Sequence, residues 1–101
     1  MAKKSMINTN LRRKKLVARY RGTRARLRAQ ARDRNISLEE RFKAQVALSE
    51  LPRNSAKVRV RNRCLVTGRP RGYLSRFRMS RLSLRDLMNK GLIPGLTKSS
   101  W

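Results

Sequence analysis

The sequence predicts a small, extended, mainly α-helical chain with little independent core. In order it reads as a long basic amino-terminal helix, a second helix, an irregular arginine-rich segment with a tight turn, and a short carboxy-terminal helix. Three observations carry this. Apolar residues recur at helical spacing in most of the chain and alternate with charge only after Lys57. Leu, Ile, Val and Phe make up 23 of 101 residues, close to the roughly 20% below which highly charged chains stay disordered. Lys and Arg number 28 against 5 acids, a net charge of +23, and repulsion among so many cations opposes compaction unless a polyanion neutralises them. Ordering a residue costs about 1–2 kcal/mol of backbone entropy, so the isolated chain is expected to be poorly ordered and to gain structure when bound. The length allows a single domain, residues 1–101.

Charge divides the chain. Residues 1–34 carry +12, residues 35–56 are neutral, residues 57–85 carry +10 without an acid, and residues 86–101 carry +1. The expected parts are a basic helix over 1–36, a neutral helix and linker over 37–56, and a motif-bearing unit over 57–101. In the first part Leu16, Tyr20, Thr23, Leu27 and Ala31 form one stripe of a helix predicted over Asn10–Arg34. Arg21, Arg28 and Arg32 flank it on one side, and Lys15, Arg19 and Arg26 on the other. Cations without interspersed acids gain no i,i+4 pairing, which favours a binding surface over a merely solvated face.

Ser37 with Glu40 three residues on is a capping box, and Pro52 ends the helix it starts, predicted over Leu38–Leu51. That helix has two apolar stripes, Leu38/Phe42/Val46 and Ala44/Leu48/Leu51. Packing against the first helix is the simpler use of them, and a surface for a protein partner is the alternative. From Lys57 the alternation of Lys57, Arg59, Arg61 and Arg63 with Val58, Val60, Asn62 and Cys64 predicts an extended edge with its cations on one side. Thr67 to Gly72, with two glycines and Pro70, is turn chemistry. Tyr73 and Phe77 stand among arginines, either to stack on bases of irregular RNA or to anchor a miniature core. Ser80 or Ser83 caps a short helix with Leu84, Leu87 and Met88 on its buried face, and Gly91 ends it.

The inventory excludes most chemistry. With no His, one Cys and five scattered carboxylates, neither a catalytic triad or dyad nor a His-based metal site can be assembled. We therefore expect no enzyme, no cofactor, no metal and no small-molecule substrate. A lone Cys64 fits a reducing compartment. No apolar run reaches the roughly 18 residues needed to span a bilayer, no signal-peptide apolar region follows Met1–Ser5, and no membrane partner is expected. Arginine outnumbers lysine 20 to 8, and guanidinium is the better partner for bidentate phosphate contacts and base stacking. No helix-turn-helix, basic-zipper or zinc-finger pattern is present to enter a major groove. RNA is thus favoured over duplex DNA, the alternative being a basic DNA-binding or RNA-chaperone-like protein. A membrane-active peptide would need a broader apolar face.

The string Asn62-Arg63-Cys64-Leu65-Val66-Thr67-Gly68-Arg69-Pro70-Arg71-Gly72-Tyr73 resembles the small ribosomal subunit protein fourteen family of bacteria and organelles. Leu51-Pro52-Arg53-Asn54-Ser55, Ser80-Arg81, Leu84-Arg85, Ile93-Pro94-Gly95-Leu96 and Lys98-Ser99-Ser100-Trp101 support it. The resemblance implies a non-enzymatic constituent of the small subunit that binds 16S-type rRNA in the head, supports assembly and shapes rRNA near the aminoacyl-tRNA site. It implies small-subunit proteins three, ten and nineteen as neighbours, and a ribosome in the bacterial cytoplasm or inside a mitochondrion or plastid. The rRNA-binding residues expected from charge pattern and resemblance together are Arg59, Arg61, Arg63, Arg69, Arg71, Arg76, Arg81, Arg85, Ser100 and Trp101. Some members hold zinc with two Cys-x-x-Cys pairs, where this chain has Cys64, Thr67, Ser80 and Ser83, so the resemblance is to a zinc-free form. Ser75 and Arg78 stand where many members carry Arg and Gly.

Overall fold

The computed structural model describes residues 2–99. Helix α1 runs over Lys4–Arg32 and α2 over Leu38–Glu50. A two-stranded antiparallel hairpin pairs β1 (Tyr73–Leu74) with β2 (Met79–Ser80), and α3 spans Arg81–Asn89. The described residues form two compact units, one of residues 9–60 and one of residues 2–8 with 61–99. The only buried apolar residues among those described are Ala44 and Cys64, and the most deeply buried side chains are the serines Ser55 and Ser80. Fixed polar contacts do here what a hydrophobic interior does in larger domains.

In the unit of residues 9–60, α1 keeps Leu16, Tyr20, Leu27 and Ala31 half-buried along the expected stripe, but Thr23 is exposed and Arg24 takes its place. Arg24 Nε donates to Ser55 Oγ at 2.9 Å and Nη2 to Pro52 O at 3.3 Å, so the guanidinium satisfies a serine that is 1% exposed. Ser55 Oγ also donates to Pro52 O. The helix ends two residues earlier than its composition suggests. There Asp33 Oδ1 accepts the Asn35 amide at 2.9 Å, giving the backbone an alternative to a further helical bond. Ser37 caps α2 by accepting the Glu40 amide at 3.4 Å, and Leu51 leaves the helix in an extended conformation before Pro52. Ala44 is buried and Ala47 and Leu48 are half-buried, whereas Leu38, Phe42 and Val46 are exposed.

The extended cationic edge expected from Lys57 is not formed. Lys57–Arg59 is a 3-10 turn, with Arg59 N bonded to Ala56 O and Val60 N to Lys57 O, both at 3.1 Å. A 3-10 turn advances about 120° per residue, so the period-two pattern cannot send every cation one way. Lys57 and Arg61 are exposed, while Arg59 and Arg63 are half-buried.

The other unit is organised by tight turns. Helix α1 begins six residues before the expected start, and in its first turns Ile7 lies against Gly68. A methyl group on Gly68 would fall 2.7 Å from Ile7 Cδ1, and Gly68 has φ of +75°. Tertiary contact thus overrides the modest helix propensity of Asn8, Thr9 and Asn10. The hairpin turn places Arg78 at φ of +54°, a left-handed conformation that costs a non-glycine residue about 1 kcal/mol. Ser80 caps α3 through the Ser83 amide at 3.3 Å. The helix closes with Gly91 N bonded to Met88 O and Leu92 N to Leu87 O, both at 3.0 Å, with Gly91 at φ of +69°. Tyr73, Phe77, Leu84, Leu87 and Met88 are all half-buried, a thin apolar layer rather than a sealed core.

Candidate nucleic-acid interface

The centre of the turn unit is a knot of one thiol and three hydroxyls. Cys64 and the turn after it are fixed by Gly68 N bonding Cys64 O at 2.9 Å, Cys64 N bonding Arg69 O at 3.0 Å and Leu65 N bonding Arg78 O at 3.2 Å. The cap of α3 brings Ser80 and Ser83 to the same point. Ser80 Oγ donates to Ser83 Oγ at 3.1 Å, and Ser83 Oγ is 3.4 Å from Cys64 Sγ. Burial pushes the Cys64 thiol up, but the Ser83 hydroxyl, the Thr67 hydroxyl and amide, and the Ser80 amide outweigh it and bring its pKa down to about 5. The positions that the resemblance marks as zinc ligands therefore converge in space, but their donors do not fit the ion. Three neutral hydroxyls are poor zinc ligands beside thiolate and imidazole, and here two of them are engaged with each other.

Around this knot the expected arginines take different parts. Arg63 is drawn inward, with Nη1 donating to Gly68 O at 2.9 Å. Arg61 Nη2 reaches Pro70 O at 3.5 Å. Arg69 is half-buried, and Arg71, Arg76, Arg81 and Arg85 are exposed. The Arg81 amide donates to Gly72 O at 2.7 Å, and its side-chain stem lies where a Gly72 Cβ would sit 3.2 Å away. Glycine at 72, with φ of +61°, thus lets the turn and the start of α3 close together. Arg76 lies over the Phe77 ring at 5.8 Å from its centroid. The tight turn thereby presents Arg69 and Arg71 on a backbone pinned from both sides.

Arg59 belongs to the other unit. Its Nη1 donates to Asn54 Oδ1 at 3.3 Å, and its carbonyl accepts from Arg13 Nη1 at 3.3 Å, so its contacts are largely internal. Ser100 and Trp101 lie outside the described residues.

Residue patterns alone missed a groove in the unit of residues 9–60. About 530 Å³ in size, it has Lys14, Arg21, Arg28 and Lys57 among its walls and Val17, Ala18 and Val60 as apolar floor, with Arg24 beside Ser55. Arg24 follows Tyr20 by four and precedes Leu27 by three, which puts it as near the helix stripe as Thr23 but on the opposite margin, so spacing alone does not choose between them. What remained unreadable was the return of residues 55–60 to close the groove, because that depends on the 3-10 turns.

A helix with eleven cations and no acid, together with an arginine-bearing turn unit, is the surface of a polyanion-binding protein. No helix of the described residues is long and apolar enough to cross a membrane, and no three metal-ligating side chains cluster among them. Residues 47–100 match the family of ribosomal protein S14p/S29e. Over all 101 residues, and the whole of each relative, the chain is 62% identical to small ribosomal subunit protein uS14 of Bartonella quintana, 60% to that of Hyphomonas neptunium and 61% to that of Phenylobacterium zucineum. The chain belongs to the uS14 family of ribosomal proteins, structural and non-enzymatic constituents of the small subunit.

Proposed function

We propose that this chain binds 16S-type rRNA in the head of the small subunit, supports assembly there, and holds rRNA conformation near the aminoacyl-tRNA site. The observation that carries this reading is the Thr67-to-Gly72 turn. It is pinned by backbone hydrogen bonds and fringed by Arg69, Arg71, Arg76, Arg81 and Arg85, with no acid between residues 57 and 85. Donors held on a fixed frame lose little entropy on meeting phosphate, and guanidinium can meet it with two parallel bonds. Arg63 braces the turn from within, so its part in RNA binding is one of positioning, whereas Arg61 is exposed and joins the fringe. Ser100 and Trp101 complete the expected contacts at the carboxy terminus. Residues 1–101 work as one rRNA-binding domain whose neighbours are small-subunit proteins three, ten and nineteen. The bacterial source of the full-length relatives favours a bacterial cytoplasmic ribosome over an organellar one.

The test is a titration of the full chain against head-domain rRNA and against duplex DNA at matched salt. The rRNA is expected to bind more tightly. With about six to ten phosphates contacted, affinity should fall by about a thousand-fold or more between 50 and 200 mM salt. Equal affinity for duplex DNA would favour the alternative of a general basic nucleic-acid binder.

A further inference from the structure

We propose that the outward face of α2, formed by Leu38, Phe42 and Val46, docks another protein of the small subunit. That partner presents apolar side chains to the stripe and a lysine or arginine to its acidic margin. The inference rests on the ribosomal reading above and assigns the surface through which one protein neighbour is held.

At 3.6 residues per turn, Leu38, Phe42 and Val46 share an arc of about 80°. The opposite side of the helix carries Ala44, Ala47 and Leu48, which the unit of residues 9–60 already covers. One apolar stripe is thus used within the chain and the other is left in water. Leu38 is 78% exposed, Phe42 69% and Val46 40%. A leucine and a phenylalanine side by side and uncovered on a regular helix are a contiguous apolar patch, the kind of surface that marks an interface.

Charge selects the occupant. The chain as a whole holds 28 cations against 5 acids, yet α2 holds three carboxylates against two cations. Glu39 and Glu50 lie along one margin of the stripe with Lys43 between them, and Gln45 borders the other. Arg41, beyond Gln45, is turned inward, its Nε donating to Ala31 O at 3.4 Å. An RNA backbone laid here would meet two carboxylates and no row of donors. A second copy of the chain would bring a further +23 to the encounter, and like charge of that size opposes association. A protein with an apolar patch and a cation for Glu39 or Glu50 fits both features. The other exposed apolar side chains differ: Val58, Leu65 and Val66 sit within the acid-free basic segment, where RNA can cover them.

To test this, the photo-crosslinking residue p-benzoylphenylalanine replaces Phe42 in the full chain, the subunits are assembled in cells, and purified subunits are irradiated. The expected product is a ribonuclease-resistant crosslink to one protein, while the same residue at Arg26 crosslinks to rRNA. A crosslink from position 42 to rRNA, or to a second copy of the chain, overturns the proposal. A second variant, Phe42→Asp, should bind head rRNA within about two-fold of the unaltered chain, yet weaken recruitment of the crosslinked protein by about ten-fold or more. Unchanged recruitment, or no protein captured from position 42, overturns the proposal while leaving rRNA binding intact. Loss of rRNA binding by the unaltered chain would instead bring down the reading on which it rests.

Discussion

The long helix and the turn unit are both dense in arginine, and they hold it in different ways. Along α1, Arg12, Arg19, Arg21, Arg26, Arg28 and Arg32 are exposed. They stand on a backbone whose hydrogen bonds are made by the helix itself. In the turn unit the frame depends on individual contacts: Arg63 to Gly68 O, the Arg81 amide to Gly72 O, and glycines at φ of +75° and +61°. The helix has redundancy, since removing one guanidinium leaves others on the same flank. The turn has preorganisation, since each donor sits on a backbone fixed in advance. A surface of the first kind contributes general attraction to phosphate, and one of the second kind contributes position as well.

The contrast predicts unequal responses to the same perturbation, and the largest is expected from pH. Cys64 has a folded pKa of about 5 against an ordinary 9.0, so between those values the unfolded chain binds the extra proton. The turn unit should therefore gain stability as pH rises from about 5 to 9 and lose it as pH falls through 5. Cys64 is the only cysteine, so its labelled 13Cβ signal in the RNA-bound chain should titrate near pH 5. Titration near 9 would contradict this, and Cys64→Ser should flatten the dependence. Next in size is a pair of glycine substitutions. Gly68→Ala combines a positive φ with a methyl group against Ile7 and should destabilise the turn unit by about 2 kcal/mol. Gly22→Ala, in open space on α1, should stabilise its helix by about 0.5–1 kcal/mol. Hydrogen exchange on the RNA-bound chain reads both, and equal signs would break the comparison.

A smaller effect tests the exception within α1. Arg24→Ala leaves Ser55 buried without its guanidinium and should cost about 1–2 kcal/mol. Arg26→Ala, on the exposed flank, should stay within about 0.5 kcal/mol. The same exchange experiment, read at the amides of Ser55 and Ala56, separates them.

The parts that could be read from residues alone are those set by local chemistry. Ser37 as a cap, Pro52 as a stop and Gly91 as a terminator each act within a few residues, and each is where the pattern placed it, while of the two serines left open as the cap of α3 it is Ser80 that fills the position. The convergence of Cys64, Thr67, Ser80 and Ser83 came from the family resemblance, not from spacing. The features that escaped leave no distinct local pattern, and one of them rests on a distant contact. Lys57–Arg59 alternates like a strand, yet the bonds from Arg59 N to Ala56 O and from Val60 N to Lys57 O wind it into a turn. Two-residue strands such as Tyr73–Leu74 are too short to show a period. The role of Arg24 has no sequence sign, because the serine it satisfies lies 31 residues away. Of the candidate site, Arg61, Arg71, Arg76, Arg81 and Arg85 are exposed, while Arg59 and Arg63 are partly committed to the fold.

The comparison is tested most directly by two double variants of the full chain, Arg69→Gln with Arg71→Gln and Arg26→Gln with Arg28→Gln, each titrated against head-domain rRNA over a range of salt. The turn pair should weaken binding and impair assembly more than the helix pair, and should flatten the salt dependence by about one unit for each phosphate no longer neutralised. Equal weakening by the two pairs, or an unchanged salt slope in the turn pair, would contradict the account, because the turn would then be structural only and the general basic surface would carry the affinity.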